Sequence, residues 1–568
     1  MKALNIYDYA VVAVYMVMMV GIGLYFLRYI QGSSDYFRAA NKLNWWIAGL
    51  SAYMSSFSAY MFTGGAGVIY QEGLTGTFLL SLTGVAILLA WLIFAKLWRR
   101  SRVTTILEFL DERFTRSAHQ VASWTYIPFN VLYCATALYS LAIFIVSALG
   151  INIFSVIWVC GLVIVIYTLL GGLWAVCVTD VVQFLVLLPV CLVLIPLSIM
   201  QIDSFEGFAQ AMPAGYFHVP SQQHPWLWLL ALFVILVHGQ NTNPLVQRYF
   251  SVRDEKEARR VALMCALLFI ASLAIWTVPP MVVRYLYPDI GSVINLPNPQ
   301  EGAFVVMALH VLPHGLIGLM IAAIFAATMS AIDSQYNAIA GVFTKDIVQK
   351  LYPRELSEKA LLRVGQLSTL VLGMIVIWLS LTMAKSGAGS FRTMMKLSSL
   401  TGTPIATPLL LGFIYRRAPA QSFMFSFATG GGLALIFFFF PPAAQALEGL
   451  GPALEFTITT FALFISGAAA FFLAEFFVKP TARQQEKIAA FFRKLDTPVD
   501  VAAEISASDI DHAPLARFVG WMSVILGAVI LPFALVPSPL LDRMTNLAVG
   551  LSLAGFGIAM VYFGKKRV

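Results

Sequence analysis

The 568-residue chain is 60% hydrophobic and 11% charged, with a mean hydropathy of +0.82 and a net charge of +8. These values exclude a soluble globular protein, whose surface would need far more polar residues. The positive charge lies mostly in short loops between apolar runs, so it reads as a membrane-topology signal and calls for no nucleic acid.

A helix needs about 20 apolar residues to cross the ~30 Å hydrocarbon core. About fifteen such runs follow one another, at 6–27, 47–70, 77–98, 124–149, 153–172, 174–199, 226–250, 261–283, 315–342, 362–384, 393–415, 421–440, 454–478, 519–536 and 545–563. The reading is therefore an all-α polytopic membrane protein with about 15 transmembrane helices. Before the first run only Lys2 is basic, and no small-residue cleavage site follows, so this span is expected to be retained.

The second span is interrupted by Ser55, Ser56, Ser58, Thr63, Gly64, Gly65 and Gly67. Backbone freed from helical bonding survives in a membrane only where it meets protein, water or ligand, so this break marks a candidate site. The sixth span carries Thr179, Asp180 and Gln183 near its expected cytoplasmic end. A carboxylate in a span is functional by default, since leaving it charged there costs about 3 kcal/mol or more; anchoring a nearby loop is the structural alternative.

The seventh span is broken by Gly239, Gln240, Asn241, Thr242, Asn243, Pro244 and Gln247. Spans two to six and seven to eleven thus form two sets of five, opposite in direction, each led by a broken helix. That is the pattern of an alternating-access secondary transporter with its site at the midplane. Easier helix packing is the alternative for Gly and Ser, but Asn-Thr-Asn-Pro is costly packing material.

The ninth span sets Ser330, Asp333, Ser334 and Asn337 on one helical face, with Ala323 and Ala327 extending the stripe. Hydroxyls and a carboxylate are the hard oxygen ligands that a desolvated alkali cation requires. Hydrogen bonding between helices is the alternative for the serines. Beyond the thirteenth span, Ile488, Phe491, Phe492 and Leu495 among Lys487, Arg493 and Lys494 form a basic amphipathic stretch, expected to lie on the inner leaflet.

With the N-terminus outside and the C-terminus inside, 30 of the 36 lysines and arginines, Arg113 and Arg248 among them, fall in cytoplasmic loops and helix ends. All five cysteines (Cys134, Cys160, Cys177, Cys191, Cys265) lie in apolar spans and read as packing residues. The predicted outer loops hold no Asn-x-Ser/Thr acceptor, which fits a bacterial inner membrane.

The run Gly171-Gly172-Leu173-Trp174-Ala175-Val176 followed by Thr179-Asp180 and Gln183 resembles the signature of the sodium:solute symporter family. Further matches are Val246-Gln247-Arg248-Tyr249, Ala327-Thr328-Met329-Ser330 with Asp333-Ser334, and Leu410-Leu411-Gly412-Phe413 before Arg416-Arg417. The resemblance covers most of residues 5–420 and implies a leucine-transporter-like fold of two inverted five-helix repeats plus peripheral helices. Residues 1–45 would hold the first helix and loop, 46–200 the first repeat and 201–417 the second. Peripheral helices would fill 418–478, the cytoplasmic loop 479–517, and C-terminal helices 518–568.

The resemblance also implies a general sodium site from the carbonyls of Met54 and Phe57 with Ala327 and Ser330. At Ala331, where many relatives carry a second hydroxyl, a ligand is missing. Some relatives hold a further sodium where this chain has Asp180, so Asp180, Ser330, Asp333 and Ser334 are expected to hold one cation. Sugar-binding pairs of the family do not carry over, since Tyr60-Met61 stand where sugar transporters have Glu-Gln and Phe269 where they have lysine. The candidate solute contacts are therefore Ser58, Tyr60, Met61, Thr83, Asn241, Thr242, Asn243 and Lys396.

The function expected is symport of a small organic solute (sugar, amino acid or carboxylate) with sodium, without cofactor and without nucleic acid. Proton-coupled symport, a transporter-like sensor and a membrane enzyme are the alternatives. No HExxH or GxSxG occurs, and His310 and His314 straddle Pro313, which disfavours a metal pair. Sensors of this fold carry long soluble extensions, whereas this chain ends at Val568 after its last span.

Overall fold

The structure is a computed structural model that describes residues 4–27, 43–56, 58–103, 105–242, 245–352, 356–387, 389–504 and 513–563. Every regular element among them is helical. Among the described residues, eleven helices are long and apolar enough to cross a membrane, and three shorter apolar helices accompany them, Ile6–Met19, Ile153–Leu169 and Trp226–Thr242. The expected second span is not one helix: Trp45–Ser55 stops at Ser56, and a wide-turn segment, Met61–Gly65, leads into Ala66–Glu72.

Expected spans five and six are one helical run, Ile153–Ile199. The run is nevertheless not straight. Tyr167 donates to Thr179 Oγ1 at 3.0 Å, whereas twelve residues of straight helix would separate the two by about 18 Å. The helical run is therefore sharply bent between them.

Helix Leu316–Gly341 is the axis of the molecule, with every residue buried. It packs on Ile153–Ile199, on the first helix Ile6–Leu27 and on Arg116–Leu149. Its small residues allow this close approach, which in lipid replaces hydrophobic driving force as the source of helix association. The flanking helices Ser422–Phe439, Pro452–Phe477 and Leu540–Phe563 instead turn large side chains such as Phe439, Phe476 and Leu551 outward. Apolar exposure of this kind suits a lipid solvent.

Two sequence expectations are corrected here. Helix Ala482–Asp496 does not keep its apolar face for the lipid: Phe491, Phe492 and Leu495 are buried against the protein, Phe491 on Phe109 and Phe413. Lys494 clamps Glu112 through both carboxylate oxygens at 2.8 Å, and Arg416 clamps Asp496 at 2.8 and 3.0 Å. Burying three large apolar side chains outweighs what a leaflet surface offers a helix this short. The second correction concerns Arg113 and Arg248, which stand at helix ends as expected but are buried in the protein and not open to water. Arg113 donates to the carbonyls of Gly412, Tyr415 and Ala418, satisfying the C-terminal end of helix Thr403–Ile414. Cys134, Cys160, Cys191 and Cys265 are buried and free, as packing residues are; the side chain of Cys177 lies outside the description.

Candidate functional site

Both breaks open onto one cavity of about 130 Å³. From the second span it is lined by Ser55, Ser56, Ser58, Tyr60 and Met61, and from the third by Thr83. Span seven contributes His238, Gly239, Gln240 and Thr242, and span eleven Met394, Met395, Ser398 and Gly402. Two wide-turn segments, Met61–Gly65 and Ser398–Gly402, border it from opposite sides; such segments re-aim side chains out of register and recur at binding sites. The break in span two is held open by span nine, because the Ala59 amide donates to Thr328 Oγ1 at 2.8 Å in place of a helical carbonyl.

The structure thus brings together Ser58, Tyr60, Met61, Thr83 and Thr242 among the expected solute contacts. It removes two others. Asn241 is buried without lining the cavity; its side-chain amide donates to Val237 O at 2.7 Å, its backbone carbonyl receives Trp98 Nε1, and its Oδ1 has no hydrogen-bond partner. Lys396 lines a different, wider cavity of about 910 Å³, where it pairs with Glu455 at 2.9 Å and Glu448 at 3.7 Å. It sits on the opposite side of its helix from Met394 and Ser398, one residue step being about 100°. Asn243 and Phe57 lie outside the described residues. Sequence reading missed His238, Tyr133, Gln335 and Ser398; of these, His238 directly precedes Gly239 and Gln335 directly follows Ser334, both features already singled out.

Side chains stand between the two cavities. Tyr60, facing the narrow one, stacks on Phe391, facing the wide one, with ring planes 8° apart, and Met395 borders both. Phe391 and Met395 ride on the short helix Ser390–Leu397. That helix lies so close to span two that a Cβ on Gly64 would stand 2.7 Å from Ser390 Oγ and 3.1 Å from Phe391 N. Its first amide is held by Glu301 Oε1 at 2.8 Å. Glu301 belongs to the connection between spans eight and nine, outside the crossing segments, and burial pushes its carboxyl up to about 7 against the opposing pull of the Ser390 and Phe391 groups that it accepts.

Below the narrow cavity, Asp180 is fully buried and accepts from three serines: Ser330 on Oδ1, Ser51 on Oδ2 at 2.5 Å and Ser55 on Oδ2 at 3.4 Å. Arg248 enters from the end of span seven. Its guanidinium lies 3.6 Å from Asp180 Oδ2 and donates to Ser51 at 3.1 Å, Ser55 at 2.7 Å and Ser334 at 3.0 Å. A resident cation therefore stands where the sequence reading put only oxygen ligands, and that reading counted Arg248 among the charges of cytoplasmic loops and helix ends. Met54 and Ala327 are buried on the helices that flank this cluster.

Asp333 is equally buried, but neither of its oxygens has a hydrogen-bond partner in the structure. The charges of Asp180 and Arg248 both act on it. Arg248 balances Asp180, which leaves Asp333 as the one carboxyl of the cluster without a hydrogen-bond partner.

The family model described as the sodium:solute symporter family matches residues 36–430. Among similar proteins, the sodium/mannose cotransporter SLC5A10 of Bos taurus is 27% identical over 92% of this chain and 96% of its own length. The sodium/myo-inositol cotransporter 2 of Bos taurus is 28% identical over 77% of this chain and 70% of its own. The sodium/sialic acid symporter NanT of Aliivibrio fischeri is 26% identical over 73% and 84%. Among solved structures, a substrate-bound, outward-open Na+-coupled sialic acid symporter superposes with a TM-score of 0.72 at 23% identity, covering 84% of this chain and 99% of that one. That likeness shows a shared fold. With a family model spanning most of its length, this multi-pass membrane protein belongs to the sodium:solute symporter family.

Proposed function

We propose that the chain moves a small organic solute, of the sugar, amino acid or carboxylate classes, across a bacterial inner membrane together with sodium by alternating access. The observation that carries this is the adjacency of a cavity at two helix breaks to a buried acidic cluster with one unpartnered carboxyl. Met54, Phe57, Ala327 and Ser330 form the general sodium site, while Asp180, Asp333, Ser330 and Ser334 supply the charge and oxygens for a cation deeper in the fold. The solute rests against Ser58, Tyr60, Met61, Thr83 and Thr242, with Asn243 at the break.

The mannose, inositol and sialic acid relatives favour a carbohydrate-like solute. The fold is read as two inverted five-helix repeats, 46–200 and 201–417, flanked by 1–45, 418–478, the cytoplasmic loop 479–517 and 518–568. Fifteen crossings put the N-terminus outside and the C-terminus in the cytoplasm, and the wide cavity then opens outward. Uptake by proteoliposomes under an imposed sodium gradient tests the reading: accumulation that collapses when sodium is equal on both sides supports it, and accumulation indifferent to sodium refutes it. A proton is the second reading of the coupling ion, favoured by the unpartnered carboxylate of Asp333, because close carboxylates lacking a cation share a proton.

A further inference from the structure

We propose that residues 481–504 form a latch across one face of the molecule, and that this latch must let go before the narrow cavity opens to that face. The proposal rests on the alternating-access reading above, which puts this face in the cytoplasm.

The segment grips two groups of helix ends at once. On one side are the end of helix Ala95–Ser101, which closes span three, and the start of helix Glu255–Ala271, which leads into span eight. Arg100 pairs with Glu255 at 2.8 Å and donates to the carbonyls of Leu495 and Asp496. Arg102 donates to the carbonyls of Lys494 and Pro498 and clamps Glu504 through both carboxylate oxygens at 2.7 Å. The Val499 amide donates to Glu255 in turn. On the other side are helix Glu108–Arg113 and the end of helix Thr403–Ile414, tied together by Arg113. There Lys494 holds Glu112, and Asp496 is held by Arg416. A carrier built of inverted repeats opens by moving one group of helices against another, and these ends can part only if the segment lets one group go.

The latch also reaches the cavity wall through packed rings. Phe491 meets Phe109 and Phe413 with ring centroids 5.4 and 6.4 Å away, and those two stack on each other at 4.1 Å. Phe413 meets Trp98 at 4.5 Å, and Trp98 Nε1 donates to Asn241 O at 3.1 Å. Asn241 lies in the break of span seven, between Gln240 and Thr242, which both line the cavity. Packed interiors switch between discrete arrangements and deform little in between, so a latch that keeps Phe491 in place keeps Trp98 on the break. The charged half of the latch is set where water weakens it: Arg416 and Asp496 are 60% and 58% exposed. Ion pairs of this kind are individually weak and screened by salt, which makes the latch releasable.

The test uses full-length protein in vesicles of both orientations and a membrane-impermeant maleimide. Thr242→Cys reports access to the cavity. Gln485→Cys, exposed on the latch, reports the face on which the latch lies, and wild type gives the background from the native cysteines. From the latch face, Lys494→Gln with Asp496→Asn should quicken labelling of Thr242→Cys at least threefold, and Glu504→Gln should quicken it separately. With the latch intact, raising potassium chloride on both faces from about 0.1 M to about 1 M cuts the Debye length from ~10 Å to ~3 Å. This should also quicken labelling, and less so in the loosened variants; the salt arm depends on no substitution in the latch. Variants that melt at a lower temperature yet label at the unloosened rate mark a brace without a gating role and overturn the proposal, as do rates indifferent to salt. Labelling of Gln485→Cys from the outer face alone would instead refute the cytoplasmic placement in the symporter reading and leave the latch standing.

Discussion

Arg248 and Asp333 together define the charge problem at the centre of this molecule. A guanidinium bonded to three serines and set against a fully buried carboxylate makes a neutral pair, and removing one member leaves the other uncompensated. Arg248→Met should therefore cost about 3–5 kcal/mol, seen as a clearly lowered melting temperature of the purified protein. Adding Asp180→Asn to it should restore most of the loss; a single variant as stable as wild type would refute the pairing. The carboxylates and hydroxyls of this cluster were legible in the sequence, because the spacing of Ser330, Asp333 and Ser334 puts them on one face and Asp180 interrupts an apolar run. Arg248 was not. A charge at the end of a span looks the same in sequence whether it reaches water or turns inward, and only the serine partners, from spans two and nine, distinguish the two. Lys396 failed in the reverse way: its position inside a span suggested the solute, but its helix turns it toward Glu455.

At the scale of elements, the short helix Ser390–Leu397 is the part most clearly placed to move, since Phe391 and Met395 are what stand between the two cavities. Glu301 anchors its first amide, and the folded protein holds that carboxyl near 7 where an unfolded chain holds it near 4.5. In this window the folded state binds more protons than the unfolded state. Stability must therefore fall as pH rises from about 4.5 through about 7, by roughly 3 kcal/mol from this group. The melting temperature of wild type should decline across that range, whereas Glu301→Gln should flatten the decline. An equal decline in both would assign it to other groups, Tyr60 and Tyr139 being too weakly acidic to titrate there. The docked helix Ala482–Asp496 gives a second element-scale expectation. Phe491→Ser with Phe492→Ser should expose the segment around residue 490 to limited proteolysis while the spans stay intact; a protected segment would show that the ion pairs of Lys494 and Arg416 suffice. Its amphipathic pattern was plain in the sequence. Whether lipid or protein covers the apolar face was not, because both offer the same chemistry to Phe and Leu, and the choice depends on Phe109 and Phe413, far away in the chain.

Over the whole molecule, the broken spans two and seven were readable because Ser, Gly, Asn and Pro are expensive in lipid, and the structure opens a shared cavity where they break. What the apolar runs do not reveal is where helical bonding continues through a sharp bend, as it does between Tyr167 and Thr179. Coupling is a property of this scale, since the acidic cluster and the narrow cavity share the helices at the break: Ser55 lines the cavity and bonds Arg248, while on span nine Ser334 bonds Arg248 and its neighbour Gln335 lines the cavity. A cation that neutralises Asp333 would thus order the helices that shape the solute site, and a solute would in turn favour the cation, as linkage requires. The charge count makes this testable. With both carboxyls ionised, as a bound cation requires, Asp180, Asp333 and Arg248 sum to one negative charge in wild type, and to zero in either Asp180→Asn or Asp333→Asn, so both variants lose the charge that draws a cation in. With uptake followed against sodium at fixed pH, the half-saturating sodium concentration should rise at least tenfold in each, or uptake should fail. With uptake followed against pH at fixed sodium, wild type should change little where sodium saturates. Uptake that ignores sodium and follows an imposed proton gradient, lost in both variants, would make the two carboxylates a proton relay and transfer the coupling role from sodium to the proton.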